Sequence, residues 1–319
     1  MMRALAICGP TASGKTALSL GVAEALGCEI ISCDSMQIYK GMDIGTAKAT
    51  AEEQARVPHH LIDFLSPAVG FSAEEYRRMA LDAAREITAR GKIPLFVGGT
   101  GLYIDTVMRG ESTEAPESDP EYRNKILSQI KDEGDIDALW ERLRSVDPIS
   151  AEKIHKNNVK RVIRALEIYD RTGIPKSEFD RRSKESSPEL SVGMITLDFL
   201  DRDLLYSRID RRVDMMLEEG LLDEAQSLYD GGVLIDGTTA SQAIGYKELL
   251  SYLKGECTLS EAVELLKLSS RRYAKRQLTW FRREEGAIKL YVDREGGVKS
   301  LDELLSEAIE AARGLLSEI

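Results

Sequence analysis

Gly9-Pro10-Thr11-Ala12-Ser13-Gly14-Lys15-Thr16 decides how this chain reads. The octapeptide fits G-x-x-x-x-G-K-[ST] at every fixed position. An apolar run, Ala4 to Cys8, precedes it and a helical pattern from Ala17 to Leu26 follows. In that strand–loop–helix setting the loop N–H groups turn inward around a chain of phosphates. The helix N-terminus adds a partial positive charge. Lys15 is placed to reach the terminal phosphates and the Thr16 hydroxyl to face Mg²⁺. The chain is therefore expected to bind a diphosphate or a triphosphate. What it does with that ligand must be read elsewhere.

Outward from the loop, strand and helix alternate. Arg3–Cys8 reads as a strand, Glu29–Cys33 as a second that ends at Asp34, and Ile93–Val97 as a third that ends in Gly98-Gly99-Thr100. Phe71–Arg90 reads as a helix opened by Ser72 with Glu75 three residues on, a capping box. Such alternation implies a parallel sheet covered on both faces. The expected fold is α/β, a P-loop NTPase-like parallel sheet covered by helices, with a helical insertion domain. Residues 111–121 (ESTEAPESDPE) have the composition of a linker, helical patterns fill roughly 120–172, and a polar stretch, Arg181–Pro188, closes the segment. Val192–Phe199 looks like a return to the sheet. The expected division is 1–111 for the first part of the core, 112–190 for the insertion, and 191–319 for the rest of the core. That last part holds mostly helices, a short strand at Ile288–Val292 and an amphipathic helix from Leu301.

The 319 residues suffice for a full core plus an extra domain, and 43% hydrophobic with 30% charged residues is an ordinary globular composition. No apolar run approaches the length needed to cross a bilayer, so no membrane association is expected. Cys8, Cys28, Cys33 and Cys257 form no CxxC pair, which reads as reduced thiols in a cytoplasmic protein. His59 and His60 are adjacent rather than four apart, a poor metal pair on a helix, and no structural metal is expected. The net charge of −11 argues against a surface that coats nucleic acid generally, but leaves room for a local basic track.

Two such tracks exist. Arg271–Arg283 (RRYAKRQLTWFRR) holds Arg271, Arg272, Lys275, Arg276, Arg282 and Arg283 with no acid, interleaved with Tyr273, Trp280 and Phe281. Lys153–Leu166 includes Lys156, Lys160, Arg161 and Arg164. Cations alternating with stacking side chains suit a single-stranded RNA loop, and two tracks suggest one polyanion held from two sides. A solvated cationic helix with its aromatics in the core would give the same pattern. Asp34, just past a strand end, and Thr100, past another, are expected to meet the phosphate loop at one edge of the sheet, where open α/β sheets bind ligands. Beside a phosphate loop Asp34 reads as a functional carboxylate rather than a loop acid or N-cap, and a Walker-B ligand to Mg²⁺ is a rival role. The stretch Asp34–Lys48 (DSMQIYKGMDIGTAK) reads as a loop that wraps something, or as an ordinary surface loop. Arg208 and Arg212 flank an apolar helical stripe and are placed to line a pocket edge, or to be solvated. No N-K-x-D motif and no strand ending in D-x-x-G supports a GTPase.

Taken together, GPTASGKT, DSMQIYKGMDIGTAK, PHHLID (58–63), FSAEEY (71–76), VGGTGLY (97–103), R-x-x-R-A-L-E (161–167), QAIGYKE (242–248) and KRQLTWFR (275–282) resemble the bacterial tRNA dimethylallyltransferases, or tRNA isopentenyltransferases. The likeness runs in order from residue 4 to about 283. Eukaryotic members add a C-terminal zinc finger that has no counterpart in this sequence, so the bacterial type is expected. The resemblance implies transfer of the dimethylallyl group of dimethylallyl diphosphate to the exocyclic amine of the tRNA adenine just 3′ of the anticodon (position 37). It makes Asp34 the general base and brings Thr100 to the same adenine. It assigns Gly9 to Thr16 to a diphosphate rather than to ATP, with Mg²⁺ on Thr16 and with Arg208 and Arg212 helping to hold the diphosphate. It assigns tRNA contacts to Asp34, Ser35, Met36, Gln37, Thr100, Arg123, Lys160, Arg161, Arg164, Gln242, Gly245, Tyr246, Lys247, Lys275, Arg276, Gln277, Trp280 and Arg282. A monomer is expected. A P-loop small-molecule or nucleotide kinase, an adenylate isopentenyltransferase and a non-catalytic RNA-binding protein stay open as alternatives. The first leaves the basic tracks without a role, and the second leaves them idle.

Overall fold

In a computed structural model of the chain, the described residues are 1–108, 116, 119–185, 188–234 and 238–319, with the side chains of 183–185 outside the description. Most of the expected 111–121 linker, and residues 186–187 of the Arg181–Pro188 stretch, lie outside it.

The elements in order are β1 (Met2–Cys8), α1 (Lys15–Leu26), β2 (Cys28–Cys33), α2 (Ala51–Arg56), β3 (His59–His60), α3 (Ala73–Ala89), β4 (Ile93–Gly98) and α4 (Gly101–Met108). Then come α5 (Pro120–Gln129), α6 (Glu133–Val146), α7 (Pro148–Lys153), α8 (Val159–Thr172), α9 (Lys176–Glu185) and β5 (Leu190–Asp198). The remainder is α10 (Arg202–Glu218), α11 (Leu221–Asp230), a 3₁₀ turn (Ala240–Gln242), α12 (Tyr246–Leu253), α13 (Leu259–Phe281), β6 (Ile288–Tyr291), β7 (Asp293–Arg294), β8 (Gly297–Val298) and α14 (Leu301–Glu318). The chain divides into two compact units, Met1–Met108 with Glu189–Ile319, and Arg109–Pro188. Among the described residues no helix is long and apolar enough to cross a membrane.

The first unit is built on a six-stranded sheet of order β3-β2-β4-β1-β5-β6 with every pairing parallel. Alternation along β1 sorts the core onto two faces. Leu5 and Ile7 join Leu18, Leu20 and Val22 of α1, Ala308 and Ala312 of α14, and Leu205 and Ile209 of α10. Ala4, Ala6 and Cys8 join Tyr76, Ala80 and Ala84 of α3 and Tyr103 and Ile104 of α4. A sheet buried on both faces has to be apolar at successive positions, which is how β1 and β2 read.

Register sets the functional edge. Cys8 of β1 pairs with Gly98 of β4, and Gly98 pairs with Cys33 of β2, so three strands end level. Gly9, Asp34 and Gly99 therefore leave the sheet side by side. A Cβ at Gly98 would collide with the Cys33 backbone carbonyl, which is why glycine stands there. Gly14 turns the chain into α1 at φ 86°, the left-handed region, and starts the helix at Lys15, two residues before the sequence pattern does. The Ser72/Glu75 capping box forms at α3.

The second unit has a small core of Leu143, Ala151, Val162, Ala165 and Leu166. Its α8 carries the fully buried Glu167, whose carboxylate accepts from Arg123 Nε at 2.9 Å, pairs with Arg164 and takes the Asp119 N–H. Burial would raise the Glu167 pKa. The Asp119 N–H and the two arginines more than reverse that and hold it below the usual range. Lys160 and Arg161 are both exposed on the same helix.

Candidate active site

The phosphate loop is tied into a wider frame. The Lys15 ammonium donates to the carbonyls of Gly9 (2.9 Å) and Pro10 (2.7 Å), so those two residues hold the lysine and are not part of the cavity wall. Arg208 Nε donates to Ala12 O at 3.0 Å, fixing α10 against the loop. Gln277 of α13 accepts from Thr11 N at 2.9 Å and donates to Gly99 O at 3.0 Å. One buried amide thus links the loop after β1 to the loop after β4. The Ser13 hydroxyl is 2% exposed and has no hydrogen-bond partner among the described residues.

Beside the loop stands Asp34. Its Oδ1 accepts from Met36 N at 2.9 Å and Gln37 N at 3.4 Å, an Asx turn that orients the carboxylate. The Asp34 charge raises the proton affinity of Lys15, Arg212 and Tyr273. Burial pushes the Lys15 ammonium down to about 8, with the like charge of Arg212 adding to the effect and Asp34 opposing it. Burial likewise lowers the Arg212 pKa.

Lys15, Thr16, Asp34, Ser35, Met36, Gln37, Arg212, Gln242, Gly245, Arg276 and Gln277 line one cavity of about 570 Å³, together with Thr11 to Gly14 of the loop. The lining also includes an apolar set: Ile209, Val213, Met216, Leu221 and Leu266. Thr100 is not on the wall. Its hydroxyl accepts from Ser35 N at 3.1 Å, donates to Ser35 Oγ at 3.4 Å and is hydrogen-bonded to the Tyr273 hydroxyl. Thr100 is half-buried, and its two partners Ser35 and Tyr273 are both on the wall.

The loop 34–48 is pinned by a residue the sequence reading passed over. Glu224 of α11 accepts from Asp43 N and Ile44 N at 2.9 Å, from Gly45 N at 3.1 Å and from Tyr246 OH at 2.6 Å. Tyr246 is fully buried beneath Gly45, where a Cβ would stand 2.6 Å from its ring. That corrects the expected tRNA contact at Tyr246, because a phenol inside the core cannot touch a macromolecule. Lys48, whose side chain is also withdrawn from solvent, bonds Tyr39 O at 2.8 Å and pairs with Asp43 and Asp63. Glu224→Ala is expected to lower stability by about 2 kcal/mol or more, since it strands three N–H groups and a buried hydroxyl. Thermal unfolding of Glu224→Ala beside Glu224→Gln, which keeps an acceptor, checks this.

The basic helix divides in two. Leu266, Ser270, Tyr273 and Gln277 recur at helical spacing on the cavity side of α13, while Arg272, Lys275, Arg276, Arg282 and Arg283 are exposed. Arg276 does both, lying 5.5 Å over the Tyr273 ring. Phe281 is buried and Trp280 packs half-buried against Gly101, so these two aromatics are core elements and not free stacking platforms. Gln277, also on the cavity wall, is committed to its two internal bonds. The Gln37 amide accepts from Ser32 Oγ at 3.0 Å and donates to Thr46 O and Ala47 O, so it holds the loop. Gln242 and Lys247 are exposed. Arg271 is paired with Asp210.

The family model described as IPP transferase matches residues 37–284. The chain belongs to the IPP transferase family. It is 50% identical over 278 residues to the tRNA dimethylallyltransferase of Bacillus pumilus (strain SAFR-032), covering 87% of this chain and 86% of that one. The crystal structure of a tRNA isopentenylpyrophosphate transferase from Bacillus halodurans is 43% identical with a TM-score of 0.71, covering 100% of this chain and 98% of that one. A eukaryotic dimethylallyltransferase solved acting on tRNA is 30% identical with a TM-score of 0.82, covering 100% of this chain and 80% of that one.

An IPP transferase with this donor set has limited means of holding a cation. Among the described residues no group of three or more His, Cys, Asp or Glu side chains could hold a metal ion. His59 and His60 form the edge strand β3, where His60 pairs with Glu29. Mg²⁺, however, prefers one or two protein oxygens plus phosphates and water, and the Thr16 hydroxyl on the cavity wall fits that demand.

Proposed function

We propose that this chain transfers the dimethylallyl group of dimethylallyl diphosphate to the exocyclic amine of the adenine just 3′ of the anticodon in tRNA, releasing diphosphate. The observation that carries the proposal is Asp34 sharing one cavity with Lys15, a phosphate cradle and an apolar lining. Prenyl transfer to tRNA is what the relatives' names describe.

The chemistry follows from the groups present. An adenine amine is a weak nucleophile, because its lone pair is delocalised into the ring. As its nitrogen bonds to the allylic C1, the C1–O bond breaks and the electron pair leaves with the diphosphate. The amine proton passes to Asp34, a device worth on the order of 10²–10⁴-fold. Lys15, Arg212 and the N–H groups of the loop are preorganised where the leaving charge develops. The Ser13 hydroxyl gains an acceptor from the diphosphate. Mg²⁺, held by Thr16 and the phosphates, would neutralise part of the charge. Ser35, positioned by Thr100, stands at the wall for the purine. A stacked adenine must be flipped out to enter the cavity.

Lys275 and Arg276 of α13 with Arg282 just past its end, Gln242, Lys247 of α12, and Lys160 and Arg161 of α8 supply the RNA contacts, with Arg276 and Gln242 also on the cavity wall. Arg123 and Arg164, bound to Glu167, present fixed guanidinium edges for the same purpose. Lys275→Glu is expected to weaken tRNA binding and to leave donor binding unchanged. It should also flatten the log–log salt dependence by roughly 0.7–0.9 for each phosphate that is no longer neutralised. Titrations at several salt concentrations check it.

The deciding experiment incubates the protein with dimethylallyl diphosphate and either tRNA or AMP, and analyses the nucleosides by mass spectrometry. Prenylated adenosine from tRNA and none from AMP is expected. Modification of AMP alone, or phosphoryl transfer from ATP in place of prenylation, would overturn the proposal.

A further inference from the structure

The apolar wall of the cavity has a length as well as a character. This inference rests on the donor assigned above. Helix α10 carries Arg208, bonded to the phosphate loop at Ala12 O, then Arg212, then Val213 and Met216 along the cavity. At 1.5 Å per residue, Met216 lies about 6 Å further along the helix than Arg212. From its diphosphate oxygen, a dimethylallyl group reaches about 5 Å at roughly 1.5 Å per bond. The two spans match.

Nothing yields beyond that point. Met216 is 9% exposed, and it joins Val213, Leu221 and Leu266 in the wall, which are 3%, 0% and 3% exposed. All four belong to one packed cluster with Ile38 and Met42. Interiors of this kind have no spare volume for another isoprene unit. None of the four side chains carries charge, so this end of the cavity suits hydrocarbon and not phosphate or ribose.

We infer that Met216 is the end stop of the donor's hydrocarbon subsite and restricts the enzyme to a five-carbon allylic diphosphate. A longer chain would have to displace a core side chain that other core residues hold in place.

The test compares dimethylallyl and geranyl diphosphate as donors to tRNA, in wild type, Met216→Ala and Met216→Phe. Wild type is expected to favour the shorter donor by about 10²-fold or more in kcat/KM. Met216→Ala should shrink that preference by about 10–200-fold, the range by which methylene-sized differences in an apolar pocket discriminate. Met216→Phe should raise KM for dimethylallyl diphosphate. Calorimetric titration of each diphosphate into the tRNA-free protein reads the same preference without turnover, and Met216→Val serves if the alanine variant does not fold. A preference within about threefold of wild type in a folded Met216→Ala or Met216→Val protein overturns the length restriction alone. Failure of the wild type to use dimethylallyl diphosphate at all would overturn the donor assignment beneath it.

Discussion

Asp34→Asn is expected to reduce kcat by about 10²–10⁴-fold while leaving donor and tRNA affinities close to wild type. Asparagine is the informative replacement, because its side-chain oxygen can still accept from Met36 N and Gln37 N and so preserve the turn. What it cannot do is take the amine proton. Alanine would confound the two effects by releasing the loop as well. Single-turnover kinetics with prebound donor isolates the chemical step. Full activity in Asp34→Asn would transfer the proton to some other acceptor and remove the centre of the mechanism.

Lys15→Met is expected to lower turnover by about 10²–10³-fold, the size of effect seen when one preorganised partner of a developing anion is removed. It should also weaken donor binding, because the ammonium faces the diphosphate in both ground and transition states. The same residue predicts a pH dependence. In the donor-free protein burial and Arg212 disfavour the ammonium, so its proton leaves near pH 8 rather than 10.5. Diphosphate restores the preference for the charged form. Hence kcat/KM for the donor falls as pH rises through about 8, while kcat at saturating donor holds to higher pH. Folding stability runs the other way. Between about pH 8 and 10.5 the unfolded chain carries the extra proton, so the stability of the donor-free protein rises across that window and the penalty is complete below it. Donor titrations and thermal scans from about pH 7 to 10.5 measure both limbs.

Much of the core was readable because its signals are local. The phosphate loop, the strand ends at Asp34 and Gly98, and the Ser72 capping box each depend on a few adjacent residues. Their convergence could be anticipated because a parallel sheet sends all its strands out at one edge. Other parts depend on partners far apart in sequence. Glu224 holds Gly45 from 179 residues away, and Gln277 reaches Thr11 across 266. No window on the chain contains both ends of such a bond. Tyr246 was misplaced for a related reason, since a tyrosine beside glycine and lysine reads as surface until Gly45 is seen to cover its ring. The cavity face of α13 did have a signal, Leu266, Ser270, Tyr273 and Gln277 at helical spacing, but the run of cations obscured it. The two-residue strands β3, β7 and β8 are too short for any periodicity.

The double attachment of Gln277 sets a mechanical constraint. Helix α13 is about 34 Å long at 1.5 Å per residue, and the same rigid rod bears cations outward and this amide inward. Tugging on its outer side by a bound RNA would be felt at Thr11 and Gly99 together, with no hinge between. Two substrates of very different size are thus registered against one lever, and the grip on the smaller cannot be adjusted independently of the seat of the larger.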